Sequence, residues 1–530
     1  MSTVTPNEFL GEFETYLRPR AEASCKHFWK SNLQHSPQDE EARAAIDKEM
    51  RLFMARRDRF ATAKDLRESS SSADEITRRQ LELTYLGHLG SQGNEDDIKR
   101  MVDLEIGLES VTNSFRATLD GKQVTNNDIK DILSDSTDLP LRKRAWEASK
   151  QLGEKLNDNL LEVIGLRNKQ ARDLGFENYH TMGMTLSELV PGDVKRIFDD
   201  LKTQSDGIYR EVKGRLDGDL AARYGLAIAD LRPWHYADPF FQEAPAVGSV
   251  ALDPYYKGKD LIALTTEFYD SLGLEIRDLI GVSDLFERDG KCQHAFCIDM
   301  NRKGDVRVLC NVRPTESWMG TMLHEYGHAV YDKYIDQTLP WTLHEPAHIF
   351  ATEAIAMLMG RLSKDAAYLK SVVGVPADEA ERLGHEIARI QQLEMLISAR
   401  WIMTFVAFER ELYADPKQNL NDLWWDLVEE IQLVHRPEGR HTPDWAAKTH
   451  FATAPVYYHN YLLGELTASQ LYASLAKLTN GHPIVGNRSA GDWLVKNVFM
   501  PGNRYHWQEM LTRATGEPLN PRYFVEQFMR

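Results

Sequence analysis

Residues 318–332 read WMGTMLHEYGHAVYD and contain the pattern HExxH, formed by His324, Glu325 and His328. Two histidines four residues apart share one face of a helix, so their ring nitrogens can bind one zinc ion. Glu325 lies next to that face, where it can act as a general base. The alternative is chance, with two of the 17 histidines flanking a glutamate on a solvated helix. The apolar flanks argue against it, because a buried helix needs partners for its histidines. The stretch predicts a zinc hydrolase.

A third protein ligand is expected in such a site. Glu353 is the one acid in the apolar run 352–360, and a buried charge there favours a metal ligand. Residues 344–348, HEPAH, also fit HExxH literally. Pro346 lies inside this second match and opposes a helix through both of its histidines, so the first motif and Glu353 are the predicted zinc ligands. Pro346 suits instead the first turn of the Glu353 helix.

The remaining chain predicts a mainly α protein with a small β piece. Helical spacing of apolar residues continues through most of 6–133. Asp138 and Pro191 mark helix starts, and Gly175 marks a stop. The aromatic stretch 232–242 predicts either a shaped loop near a cleft or a set of core aromatics, and the sequence favours neither. Residues 307–312 alternate like a strand, and 303–305 predict a hairpin turn, so a small sheet should precede the motif helix.

Composition limits the partners of this 530-residue chain. The net charge of -17 argues against nucleic acid or an anionic membrane as the main partner. No apolar run is long enough to span a bilayer. The first residues lack a basic and an apolar signal region, so no signal peptide is predicted, and the compartment stays open. The four cysteines form no CxxC pair, and Cys292 and Cys310 could be a disulfide or buried thiols.

With Glu353 following HEYGH, the chain resembles the gluzincin peptidases. It is most similar to the angiotensin-converting enzyme family, also called peptidyl-dipeptidase A, and more distantly to thimet oligopeptidase and oligoendopeptidase F. The resemblance runs from about Trp146 to the carboxyl terminus. It implies one zinc ion, oligopeptide substrates and a two-lobed helical fold with a deep central cleft. The implied organisation is one domain over 1–530, with a helical lid region (1–135), a helical lobe with a cleft loop (136–290) and a zinc-binding core (291–530).

Six further site residues come from this resemblance. His294 and Ala295 match a motif that holds the substrate strand, and Lys448 and Tyr458 match residues that grip the substrate's terminal carboxylate. His450 and Tyr461 match residues that bind the peptide backbone and the oxyanion. The chemistry agrees, since an exopeptidase must recognise a carboxylate and a lysine with a tyrosine supplies charge-assisted hydrogen bonds. For each tyrosine alone, a core aromatic is the simpler interpretation.

The chain departs from the family at two positions. Asn460 stands where the family often has a chloride-binding arginine, so chloride activation is not carried over. Met357 stands where some gluzincins have an aspartate that orients a zinc histidine, so that partner must come from elsewhere. The resemblance also implies a disulfide between Cys292 and Cys310.

The resulting hypothesis is a zinc peptidyl-dipeptidase, a carboxypeptidase that removes dipeptides. One alternative is an oligoendopeptidase that cuts inside short peptides and ignores the carboxylate. Another is a metal-bound scaffold without catalysis, against which the intact Glu325 and Glu353 argue. The oligomeric state is not predicted.

Overall fold

Helices account for most of the computed structural model, which describes residues 4–245 and 250–529. The predicted mainly α class is confirmed. In its first half the helices are α1 Pro6–Leu33, α2 Pro37–Met54, α3 Arg57–Ser69, α4 Glu75–Gly90, α5 Glu95–Ser114, α6 Asn126–Asp135, α7 Leu139–Asp173, α8 Tyr179–Leu186, α9 Pro191–Tyr224, α10 Asp253–Tyr256, α11 Leu261–Ser271 and α12 Arg277–Val282.

The second half begins with the motif helix. Its helices are α13 Glu316–Lys333, α14 Ile349–Gly360, α15 Ala366–Tyr368, α16 Ala377–Ala414, α17 Leu420–Leu427, α18 His450–Thr453, α19 His459–Ala476, α20 Arg488–Leu494, α21 Trp507–Thr515 and α22 Arg522–Phe528. Short 3₁₀ and π segments are Ile228–Asp230, Pro233–His235, Trp341–Leu343, Arg361–Lys364, Leu369–Val373, Val428–Gln432, Asp444–Ala447 and Val495–Phe499.

The predicted helix boundaries have a local cause in the side chains. Asp138 caps α7 by accepting the Leu141 N–H, and Pro191 occupies the first turn of α9. Gly175 has a φ of +88°, which ends the run of α7. These predictions are confirmed.

Two strands inside the stretch 6–133, which was predicted to be helical nearly throughout, correct the sequence analysis. β1 (Ala117–Leu119) pairs antiparallel with β2 (Lys122–Val124). Asp120 and Gly121 connect them with φ values of +51° and +78°, as expected of the Asp-Gly turn that favours tight hairpins. That dipeptide was the missed signal.

The predicted hairpin before the motif helix is present. β3 (Phe296–Asp299) pairs antiparallel with β4 (Val306–Leu309), and Gly304 in the connecting turn has a φ of +94°. Both strands contact α13. The strand ends at Leu309, so the last three residues of the predicted strand lie beyond it.

The chain divides into two compact units. The first comprises the described parts of Met1–Gln92, Val250–Ile387 and Leu463–Phe524, and the second those of Gly93–Ser249, Ala388–Leu462 and Val525–Arg530. In the first unit α13 packs against α14, and the apolar residues flanking the motif are fully buried, namely Met322, Leu323, Ala329 and Val330. In the second unit α7 contacts α5, α6 and α8.

The predicted lid, lobe and core boundaries stay a prediction. No described helix combines the length and apolarity that crossing a membrane requires.

Candidate active site

Glycines allow α13 and α14 to approach closely in the first unit. A Cβ added at Gly327 would lie 2.9 Å from the Cα of Ala356, and one at Gly360 would lie 3.2 Å from the Cβ of His324. Side chains at these positions would separate the helices. The close crossing places Glu353 of α14 opposite the two histidines of α13.

The predicted metal ligands are brought together by this crossing. The Nε2 atom of His324 lies 3.8 Å from one Glu353 carboxylate oxygen, and that of His328 lies 3.9 Å from the other. One ligand atom from each residue lies within 4.8 Å of the others. Two imidazoles and one carboxylate are a donor set that zinc hydrolases use, so these residues fit a zinc ion.

Burial prepares the two histidines for metal binding. It lowers the pKa of His324 to about 4, and burial together with the His324 ring lowers that of His328 to about 3. Burial also raises the pKa of Glu353. Both imidazoles are therefore neutral near pH 7 and keep a lone pair for a metal.

Thr352 supplies the orienting partner that the sequence analysis could not name. The Nδ1 atom of His328 lies 2.7 Å from the Thr352 hydroxyl oxygen, which leaves Nε2 for the metal. Thr352 immediately precedes Glu353, so one turn of α14 carries both a candidate ligand and the partner of another. Only the packing of α14 on α13 reveals this contact.

The second match to HExxH does not form a helix through its histidines. His344 follows the 3₁₀ turn Trp341–Leu343, and His348 is the N-cap of α14, where its Nδ1 accepts the Phe350 N–H at 3.2 Å. The prediction that no helix runs through both histidines of HEPAH is confirmed. Pro346 lies before this cap, so its predicted place in the first turn of α14 is wrong.

Glu325 is buried beside the candidate ligands. Burial, and secondarily the Glu353 charge, raise the pKa of its carboxyl to about 7, while the backbone N–H of Cys297 acts in the opposite direction. A carboxyl group in such surroundings is suited to accept and return a proton. His294 and Ala295 lie just before β3, and His294 is exposed.

The four cysteines are free thiols in the structure. The disulfide implied for Cys292 and Cys310 is therefore not formed, and Cys310 is a buried thiol whose pKa is raised by burial.

The second unit holds the residues predicted to recognise the substrate's end. The His450 and Tyr461 rings lie 5.0 and 5.1 Å from the Tyr458 ring, and the Lys448 amine lies 5.4 Å from it. The Tyr458 hydroxyl accepts a 2.7 Å hydrogen bond from Nε1 of Trp401. The three-residue spacing of Tyr458 and Tyr461 predicts that both lie on one helix, but Tyr458 immediately precedes α19 and does not lie inside it, so that prediction is wrong.

Gln242 joins this cluster without having been predicted. Its amide oxygen accepts a 2.6 Å hydrogen bond from the Lys448 amine, and it ends the aromatic loop 232–242. Buried Asp238 shapes that loop by accepting N–H groups of Phe240, Gln242 and Glu243. The sequence could not predict that this loop contacts Lys448.

Burial tunes the charges in the second cluster. It lowers the pKa of Lys448 to about 8, although the negative charges of Asp238 and Glu243 act to raise it. It also lowers the pKa of His450 to about 4 and raises that of Tyr458 to about 12. Near pH 7 the cluster therefore contains a cation, a neutral imidazole and an intact phenol.

Two family profiles match the chain. Residues 132–530 match the profile described as Peptidase family M3, and residues 2–233 match the one described as Angiotensin-converting enzyme.

Three relatives with low sequence identity are also peptidases or peptidase-related proteins by name. An angiotensin-converting enzyme of Haematobia irritans exigua is 24% identical over 443 residues, covering 74% of this chain and 70% of the relative. An inactive angiotensin-converting enzyme-related protein of Caenorhabditis elegans is 23% identical over 62% of this chain and 40% of the relative. Carboxypeptidase 1 of Bacillus subtilis (strain 168) is 25% identical over 44% of this chain and 51% of the relative. The chain thus spans about half or less of the length of the last two.

Proposed function

The chain belongs to peptidase family M3, and its residues 2–233 also match the angiotensin-converting enzyme profile, so we propose that it releases dipeptides from the C-termini of oligopeptides with one zinc ion. The observation that carries the proposal is the partly buried Lys448 amine beside Gln242 and Tyr458. This cation is suited to bind a carboxylate, and a peptidase that cuts internal bonds has no need of it.

The metal would be held by His324, His328 and Glu353. Zinc, when bound, supplies a Lewis acid that activates water and polarises the scissile carbonyl. Thr352 fixes the tautomer of His328 through Nδ1. Glu325 accepts the proton of the attacking water and returns it to the leaving amine.

Substrate alignment is assigned to six further side chains. Tyr461 donates to the developing oxyanion, a contact worth on the order of 10² to 10³ in rate. His450 and His294, with Ala295, bind the peptide backbone. Lys448, which donates a hydrogen bond to Gln242, and Tyr458 bind the terminal carboxylate and so determine the length of the product.

The relatives support recognition of a C-terminus. One of them bears the name carboxypeptidase, and we carry the preference in that name to this chain as part of the proposal. One relative is named inactive, so a metal-bound scaffold without catalysis is the alternative function. This chain contains Glu325 and all three candidate ligands, as a working enzyme requires.

Mass spectrometry of the products from one short peptide and its C-terminal amide tests the proposal. We expect a dipeptide from the free acid, little cleavage of the amide, and loss of both after treatment with a chelator. Equal cleavage of the two peptides would reject the Lys448 contact and favour the oligoendopeptidase.

A further inference from the structure

One face of α16 supports the segment that carries the carboxylate-binding residues. Trp401, Phe405 and Glu409 follow one another at intervals of four residues, so they share that face. Trp401 donates to the Tyr458 hydroxyl at 2.7 Å. Phe405 stacks on both Phe451 and Tyr458, with ring centroids 4.1 Å apart in each case. The path of the chain from Lys448 to Tyr458 is therefore set by α16.

Val456 makes this segment strained. Its φ of +53° places a β-branched residue in the left-handed region, which such residues rarely adopt. The side chain is buried, and a Cβ at Gly183 would come within 3.0 Å of the Val456 Cβ. Val456 stands two residues before Tyr458, so its backbone conformation directs the chain into that tyrosine. A conformation of this kind persists only where neighbouring contacts hold it.

Glu409 is the contact that holds Val456. Its carboxylate accepts the Val456 N–H at 2.9 Å, and the side chain is 1% exposed. A carboxylate so deeply buried is costly without compensation. The positive charge of Arg167 compensates part of this cost by favouring the ionised form of Glu409.

Arg167 holds the start of the segment 451–456, which ends at Val456. Its guanidinium donates to the carbonyl oxygens of Phe451 at 3.3 Å and Ala452 at 3.0 Å, and it pairs with Glu105 at 2.7 Å. Glu409 and Arg167 thus hold the two ends of 451–456. A segment of only six residues, beginning in α18 and fixed at both ends, has little freedom to move the residues that flank it.

We propose that Glu409 is a positioning residue for recognition of the substrate's terminal carboxylate: by holding the left-handed Val456 it sets the spacing between Tyr458 and Lys448. The inference rests on the proposed function, because it assumes that these two residues bind the carboxylate. Glu409 itself does not touch the substrate.

The test compares kcat/KM for one peptide as free acid and as C-terminal amide. In Glu409→Leu the Val456 N–H loses its acceptor, and we expect the ratio of acid to amide to fall by about tenfold or more, mainly through KM of the acid, since small misplacements weaken oriented contacts strongly. Glu409→Gln keeps an acceptor oxygen and should keep most of the ratio. A wild-type ratio in folded Glu409→Leu would overturn the inference.

Two further variants separate positioning from general stability. Glu411→Leu changes a partly exposed carboxylate on the same helix that pairs with Arg410, and it should leave the ratio unchanged. The double variant Glu409→Leu/Val456→Gly should recover part of the ratio, because glycine adopts the left-handed conformation without support. If Glu409→Leu does not fold, the double variant must fold and discriminate acid from amide, and its failure would overturn the inference. Equal cleavage of acid and amide by the wild type would instead overturn the proposed function before any variant is compared.

Discussion

Glu325 is the residue whose chemistry is most sharply testable. It lies beside the candidate ligands without being one of them, and its carboxyl is buried. Glu325→Gln is nearly isosteric, so we expect the variant to bind one zinc per chain as the wild type does. Without a general base, turnover should fall by about 10² to 10⁴ or more. Zinc content and peptide hydrolysis measured on the same sample check this, and full activity would reject the mechanism.

The charge of Lys448 gives a pH dependence with a defined sign. Its pKa is lowered to about 8 by burial, so the amine is protonated below that pH and loses its charge above it. For a free-acid peptide, KM should therefore rise above about pH 8, by up to about tenfold per pH unit. For the C-terminal amide KM should not follow this titration. Initial-rate measurements on both peptides across that range decide, and parallel curves would contradict the assigned role.

Among single residues, the sequence was most informative where the residue types and spacing of a motif indicate a chemical role. His324, His328 and Glu353 were identified from spacing and from a lone acid in an apolar run, and the structure brings them together. Thr352 and Gln242 were missed because an isolated threonine or glutamine carries no pattern. Their importance depends on which side chain the fold places next to them.

At the scale of elements, the crossing of α13 and α14 depends on Gly327. Gly327→Ala would place a methyl group 2.9 Å from the Ala356 Cα, so the helices must separate. We expect a loss of about 1–3 kcal/mol in the free energy of unfolding and weaker zinc binding as Glu353 moves away. Chemical denaturation and zinc competition with a chelator measure the two effects.

A matched control for this substitution lies in α9. Gly214 has no heavy atom within 4 Å of an added Cβ, so Gly214→Ala should leave zinc binding unchanged and stabilise the protein by up to about 1 kcal/mol. Wild-type zinc affinity in Gly327→Ala would show that the close crossing does not set the ligand geometry.

Long helices such as α7 and α13 were predictable because the period of their apolar residues repeats over many residues. The short hairpin of β1 and β2 was not, since three-residue strands have too few positions to show alternation and the Asp120-Gly121 turn was the only local signal. Pro346 was misplaced because His348 provides a side-chain cap that ends the preceding irregular segment.

At the scale of the whole molecule, the chain order conceals the organisation of the units. Each unit is assembled from separate stretches of sequence, so composition and periodicity along the chain could not delimit them. The candidate metal ligands, from motif spacing, and the proposed carboxylate-binding residues, from the family resemblance, could nevertheless be assigned to their stretches, because both assignments depend on local motifs. Membership of Peptidase family M3 over residues 132–530 agrees with that resemblance.

The order in which products appear from one short peptide tests the central claim most directly. Mass spectrometry of an early time course should show the C-terminal dipeptide and the peptide shortened by two residues first, followed by a second dipeptide from the shortened chain. Internal fragments that appear first, with no dipeptide among the earliest products, would contradict the account.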